Sequence, residues 1–242
     1  MANEVALMFS GGVDSTVAAI KLQEQFDRVH LLTFSNGYGH YAFKRTVRRV
    51  AELDERYPGR FVHFSSSIKD LFEKVCLSSI ISDYRKFGSA FMWCMGCKLA
   101  MHARSIIYCR QNGVAKMSDG SASDSSEMVE QSLLSVSMVH WFYADWGVEF
   151  FVPVYTVERD DKRAMLKEMG FRMGIPIRDR YLGIQPSCIP GELYYLPYIL
   201  FNKDPGHEEN TVAKYISEKR PQLDEHIEAM SGKEARADSM EA

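Results

Sequence analysis

The chain has 242 residues, 46% of them hydrophobic and 25% charged, with a formal net charge of −3. That is ordinary globular composition, long enough for one large α/β domain with small attachments. The body through residue 204 is close to neutral and the stretch from Pro205 carries nine acidic and five basic residues, which excludes a strongly basic nucleic-acid binder though not a local basic patch.

In chain order, Met1-Ala2-Asn3-Glu4 runs into the apolar segment Val5-Ala6-Leu7-Met8-Phe9, a strand buried on both faces. No basic-then-apolar signal region precedes it, and no apolar run reaches the ~18–20 residues of a membrane span, so a cytoplasmic protein without a membrane partner is expected. Residues 14–26 read as a helix, 28–34 as a strand, 42–57 as a helix closed by Pro58-Gly59, 60–64 as a strand and 68–81 as a helix. The pattern resumes with a helix over 96–111, a strand over 114–117, a long helix over 127–144, a strand over 148–154 and a helix over 162–173. Repeated βα units predict a five-stranded, mostly parallel sheet covered by helices, with its ligand beyond the carboxyl ends of the strands at a topological switch point. Three segments are expected: the α/β domain over 1–180, an irregular lobe bearing Cys188 over 181–204, and a polar extension over 205–242 whose last dozen residues lack order.

Between the first strand and the first helix stands Ser10-Gly11-Gly12-Val13-Asp14-Ser15-Thr16. Two glycines permit a sharp turn that brings backbone N–H groups up to an anion, and the helix opened by Ser15 and Thr16 points its positive end at the same place. No lysine follows the glycines, so this is not a Walker A loop, nor is it GxGxxG. The segment closely resembles the pyrophosphatase loop of the PP-loop ATPase superfamily, whose members cleave ATP between the α and β phosphates and adenylate a substrate. The resemblance implies an adenine-nucleotide α-hydrolase fold of the Rossmann-like kind. It implies that Ser10, Gly11, Gly12, Asp14, Ser15 and Thr16 bind the pyrophosphate of ATP and its Mg²⁺, with Thr33, Phe34 and Ser35 near the adenine. Lys162 matches a lysine at the start of a late helix. Ser118-Asp119-Gly120-Ser121-Ala122-Ser123-Asp124 resembles the family's Gly-His-x-x-Asp-Asp rim with the histidine missing, so that Gly120 and Asp124 border the site.

Five cysteines, an odd number, argue against a disulfide scaffold in a reducing compartment. Cys94-Met95-Gly96-Cys97 is a CxxC at a helix start, able to hold a metal ion or one corner of a cluster, and Cys188 follows far along the chain. CxxC after the third βα unit plus one distant cysteine resembles the sulfur-inserting branch of the superfamily, the tRNA 2-thiocytidine and 2-thiouridine synthetases. There three cysteines hold a 4Fe–4S cluster, which implies Cys94, Cys97 and Cys188 as ligands, ATP and tRNA as partners, and a sulfide or persulfide donor; a homodimer is compatible. Two further readings stay open: a persulfide mechanism without iron, as in bacterial 2-thiouridylases, and zinc, as in 7-cyano-7-deazaguanine synthases, whose four clustered C-terminal cysteines this chain lacks. An amide-forming or nitrogen-transferring ligase, or thiolation of a small cofactor precursor, uses the same adenylation. Cys76 and Cys109 fit buried helix positions, and Lys44, Arg45, Arg48 and Arg49 form a basic stripe open to solvent or to RNA phosphates.

Overall fold

The computed structural model describes residues 3–125, 128–177, 180–182, 187–201 and 207–237. In chain order its elements are β1 (Glu4–Met8), α1 (Val13–Gln23), β2 (Arg28–Ser35), β3 (His40–Tyr41), α2 (Lys44–Arg56), β4 (Phe61–Ser67), α3 (Lys69–Val75), α4 (Ile80–Phe87) and α5 (Phe91–Gln111). They continue with β5 (Lys116–Ser118), α6 (Leu133–Ala144), β6 (Glu149–Phe151), α7 (Arg159–Glu168), β7 (Ile175–Ile177), β8 (Arg180–Leu182), β9 (Ser187–Cys188), α8 (Ile189–Phe201) and α9 (Glu209–Ala237).

Five strands form one sheet in the order β4-β2-β1-β5-β6, and every neighbouring pair is parallel. Alternation along β1 sends Val5, Leu7 and Phe9 into a core shared with α1, α2 and α7. Ala6 turns to the other core, under α3, α5, α6 and α9. With both faces covered, the central strands have no polar face to show, which is why β1 reads as a continuous apolar run. The order of connection reverses between β1 and β5, so the loops after these two strands open a crevice at one edge of the sheet.

Several elements differ from the sequence expectation. The helix expected to begin at residue 96 begins at Phe91, so the CxxC lies within its first two turns. The segment 68–81 breaks at Cys76 into α3 and, after a 3₁₀ turn, α4. The long helix expected from residue 127 starts only at Leu133, where Ser132 caps it by accepting the Ser135 N–H. The 186–201 stretch, expected to be irregular because of its prolines, is helical from Ile189: Pro190 sits in the first turn, where no N–H is needed, and Pro197 lies inside. The polar extension forms α9, which runs to Ala237, past the start of the stretch expected to lack order.

That last helix is built into the molecule. Val212, Tyr215, Ile216, Leu223 and Ile227 are buried, each large apolar side chain worth about 1.5–3 kcal/mol relative to exposure. Lys219, also buried, pairs with Asp83 at 2.6 Å and donates to Ser79 Oγ at 2.7 Å, fixing α9 to α4. Tyr215 Oη donates to the Met92 carbonyl at 3.2 Å. A side chain at Gly96 would meet Tyr215 Oη and Cys76 Cβ, both at 2.8 Å. The glycine inside the CxxC is therefore a packing requirement of α9 and α3.

Candidate functional site

The loop after β1 is held open by its own polar groups. Gly11 takes φ +79°, and a Cβ there would meet Thr46 Cα at 3.1 Å and Arg49 Cβ at 3.3 Å. Thr46 Oγ1 donates to the Ser10 carbonyl at 2.8 Å, so α2 clamps the loop from one side. Ser10 Oγ accepts the Gly12 N–H at 3.2 Å and lies 3.2 Å from Ser15 Oγ, while Thr16 Oγ1 donates to the Gly12 carbonyl at 2.6 Å. No side chain caps α1 at Gly12, and helix geometry leaves the first-turn N–H groups without intrahelical acceptors. The outcome is a bare helix end facing the crevice, suited to an anion.

Asp14, Asp124 and Lys162, far apart in sequence, meet beside this loop. Lys162 is fully buried, with Nζ 2.6 Å from Asp14 Oδ1 and 3.3 Å from Asp124 Oδ2. The two carboxylates offset the charge of the enclosed ammonium, Asp14 at charge-assisted hydrogen-bond distance. Arg159 steadies the second carboxylate's segment, donating from Nη2 to the Asp124 carbonyl at 2.6 Å and to Ser125 Oγ at 3.0 Å. Gly120 touches the loop directly: a Cβ there would lie 2.8 Å from Ser15 N.

Asp119 and its surroundings were not singled out by the sequence, because an aspartate in a serine-rich loop reads as a turn former. It is buried, accepts from the Ser121 N–H and hydroxyl at 2.9 Å each, and pairs with Lys98 Nζ at 2.6 Å. Burial pushes its carboxyl up, but Lys98 and the Ser121 N–H hold it below the usual carboxylate range. His102, wholly enclosed, is driven down to about 3 by burial and by Lys98 and is neutral; its Nδ1 meets Tyr143 Oη at 3.0 Å.

The expected adenine neighbours at the end of β2 are used internally. Thr33 Oγ1 donates to the Phe9 carbonyl at 2.8 Å and so accepts from His63 Nε2 at 2.9 Å, Phe34 is in the core, and Ser35 Oγ accepts the Gly37 N–H at 3.4 Å.

The three cysteines sit close together at the same end of the sheet. Cys188 lies on β9, which pairs antiparallel with β3 so that Cys188 faces His40 across the ladder. A Cβ at Gly191 would meet Cys94 Sγ at 3.3 Å and Cys188 Sγ at 3.7 Å, which brings both sulfurs around one point. Cys97 Sγ accepts from Asn36 Nδ2 at 3.3 Å. Burial is the main force raising all three thiols, and each is raised further by nearby charge on Glu130. Among the described residues no three His, Cys, Asp or Glu side chains stand as a set that could hold a metal ion. Cys76 and Cys109 are buried, their thiols pushed up by that burial to about 12.

The basic stripe on α2 is narrower than expected. Arg49 is buried, paired with Glu52 at 2.7 Å, donating to the Arg172 carbonyl at 2.7 Å and lying over the Phe171 ring. Lys44, Arg45 and Arg48 remain on the outer side. No helix among the described residues is long and apolar enough to cross a membrane.

A family model described as queuosine biosynthesis protein QueC matches residues 4–84. A 4-thiouridine synthetase solved with RNA and bound ATP superposes with a TM-score of 0.58 at 14% identity, over 95% of this chain and 53% of that one. The chain thus spans about half of that synthetase. The U34-tRNA thiolase NcsA from Methanococcus maripaludis, solved with its [4Fe-4S] cluster, gives 0.48 at 14% identity over 90% of this chain and 73% of that one. A predicted tRNA methyltransferase subunit from Methanocaldococcus jannaschii gives 0.45 at 15% over 84% and 90%.

The parallel sheet and the glycine loop at its switch point have the arrangement that the resemblance to PP-loop ATPases predicted, and the family match falls on the βα units that carry that loop. The QueC model covers the loop and the first two parallel crossovers, and it ends before the CxxC.

Proposed function

We propose that the chain is an ATP-dependent sulfurtransferase that adenylates a carbonyl oxygen of a tRNA base and replaces that oxygen with sulfur. One observation carries the reading: the phosphate loop and the thiols are joined through two pairs of adjacent residues. Gly120 packs on Ser15 of the loop, its neighbour Asp119 pairs with Lys98, and Lys98 is followed back by Cys97. A nucleotide on the loop and a sulfur on the cysteines would therefore be within reach of one substrate.

In the first step the substrate oxygen bonds to the α-phosphorus as the bond to the β-phosphate oxygen breaks, and pyrophosphate leaves with the developing charge. The residues present suit that charge: first-turn N–H groups of α1, Ser15, Thr16 and the buried ammonium of Lys162. Asp14 and Asp124, both carboxylates beside the loop, are the groups that would hold Mg²⁺. In the second step sulfur bonds to the activated carbon and AMP leaves. In donor chemistry Cys94, Cys97 and Cys188 suit a thiolate-held 4Fe–4S group, though as they stand they do not form a metal-holding set; they would be its holders, and such a group would supply a soft site for sulfide. The chain's own part is to keep these sulfurs dry and close to the crevice.

Asp14→Ala and Ser15→Ala are each expected to abolish ATP-dependent pyrophosphate release, read with a coupled phosphate assay. Undiminished release in both variants would sink the ATPase reading. The RNA part predicts tRNA retention that falls steeply with salt, with a shallower slope when Arg45 and Arg48 are both changed to Gln, by about one counterion per lost contact. Absence of retention even at low salt would move the acceptor to a small molecule.

A second reading is nitrogen transfer after the same adenylation; the match over residues 4–84 ends before the CxxC and so covers only the loop that both readings share. Mass spectrometry of the product separates the two: sulfur raises the mass where nitrogen transfer replaces the oxygen with an amine.

A further inference from the structure

We infer that Asn36 is a positioning residue for the sulfur chemistry, an amide donor fixed on Cys97 that ties this thiol to the nucleotide-side end of β2. The inference rests on the sulfur-transfer reading for what Cys97 does, and on local geometry for the assignment itself.

Asn36 follows directly on β2 and is completely buried. Its carboxamide is engaged at both ends: Oδ1 accepts the Tyr38 N–H at 2.9 Å and Nδ2 donates to Cys97 Sγ at 3.3 Å. The first contact settles the orientation of the amide. A backbone N–H can only donate, so the atom facing Tyr38 must be the oxygen, and the nitrogen must face sulfur. The ring of His40 completes the turn by accepting the Asn36 N–H at 3.4 Å.

The same short loop grips a second cysteine. His40 pairs with Cys188 in the β3–β9 ladder, and the Ile189 N–H donates to the Gly39 carbonyl at 3.1 Å. Gly39 takes φ +91°, and a Cβ there would strike Pro190 Cδ at 2.6 Å, so the loop and the Cys188 segment are fitted to one another. Residues 36–40 thus hold Cys97 by a side chain and Cys188 by the backbone, and they do so at the end of the strand that pairs with β1.

An amide N–H on a buried sulfur matters most when the sulfur carries negative charge, as a metal-bound thiolate or as a sulfur nucleophile. A neutral buried thiol gains little from it; the Tyr38 N–H accounts for the oxygen end of the amide, and it is the nitrogen end that a charged sulfur explains. Donors of this kind, one shell removed from the reacting sulfur, typically change metal affinity or activity by 10–100-fold.

The test uses Asn36→Asp, which keeps the shape and the bond from the Tyr38 N–H but turns a carboxylate oxygen toward sulfur in place of the donor. Asn36→Ala serves as the uncharged companion. Cobalt(II) alone, titrated into the metal-free full chain and followed by thiolate charge-transfer absorption, should bind about tenfold or more weakly in Asn36→Asp. Sulfur transfer should fall by a similar factor, while the KM for ATP and the rate of pyrophosphate release stay within about twofold of the parent chain. Parental cobalt affinity and parental sulfur transfer in both variants would overturn the assignment. So would a joint collapse of pyrophosphate release and thermal stability in both, which would make Asn36 a structural residue only. If the parent chain itself transfers no sulfur, the sulfur-transfer reading has failed and the cobalt titration alone decides the role of Asn36.

Discussion

Lys162→Met is expected to cut ATP-dependent pyrophosphate release by about two to three orders of magnitude, the usual cost of removing one preorganised charge that stabilises a transition state. Methionine matches the length and slenderness of the lysine stem, so the change is one of charge. In the folded chain the ammonium is fully enclosed, with Asp14 and Asp124 at 2.6 and 3.3 Å. A cation beside the adjoining helix end adds a fixed positive charge where phosphate oxygens of a bound nucleotide are proposed to lie. The stability cost should be smaller than the ~3–5 kcal/mol of breaking a wholly buried pair, because the Asp14 side chain is 38% exposed and can rehydrate. Urea midpoints and pyrophosphate release measured on the same preparation separate the two effects. A variant that unfolds no more easily and still releases pyrophosphate at the parental rate would remove Lys162 from the site.

The phosphate loop was legible because three independent constraints coincide in a few residues: an apolar strand, a glycine pair that can turn, and hydroxyl residues opening a helix. The switch point followed from the same βα repetition, since strand order in such sheets is limited by handedness. Lys162 was visible only through resemblance; nothing in Asp161-Lys162-Arg163 distinguishes a buried ammonium from two solvated neighbours. Arg49 was misread for the opposite reason. The spacing of α2 put it on the basic stripe, but Glu52 at i+3 supplied a buried partner that allowed it inward.

The C-terminal helix was the largest omission. The net acidic composition from Pro205 suggested a polar extension, whereas its large apolar residues, sparse as they are, lie on one side and are buried. That face covers the first turns of α5, where Tyr215 reaches Met92 and Gly96. The setting of the CxxC therefore depends on contacts more than a hundred residues away, which local pattern cannot report. The β3–β9 ribbon that brings Cys188 near Cys94 is two residues per strand, too short to leave a periodic signal.

Gly120→Ala is expected to weaken ATP binding by about tenfold or more, equivalent to at least 1.4 kcal/mol. The backbone at Gly120 is not in the left-handed region, so the glycine is explained by space and not by φ. A built Cβ lies 2.8 Å from Ser15 N, 3.0 Å from Ser15 Cα and 3.2 Å from the Asp14 carbonyl carbon, all of them main-chain atoms of the first turn of α1. Unlike the end of a flexible side chain, a helix backbone cannot step aside alone; either α1 or the loop after β5 must move. Overpacking of this kind typically costs about 1–3 kcal/mol of stability, and here the displaced atoms include the Ser15 N–H of the loop proposed to bind phosphate. Gly113→Ala is the matched control: Gly113 has φ +65° with nothing within 4 Å of its Cβ position, so it should lose stability by backbone strain, about 1–2 kcal/mol, without touching the nucleotide. Calorimetric titration with an ATP analogue carrying a methylene between the α and β phosphorus atoms avoids turnover in both. Equal affinity in the two variants would show that the loop after β5 does not border the nucleotide, and the link from Ser15 through Gly120 and Asp119 to Lys98 and Cys97 would lose its first step.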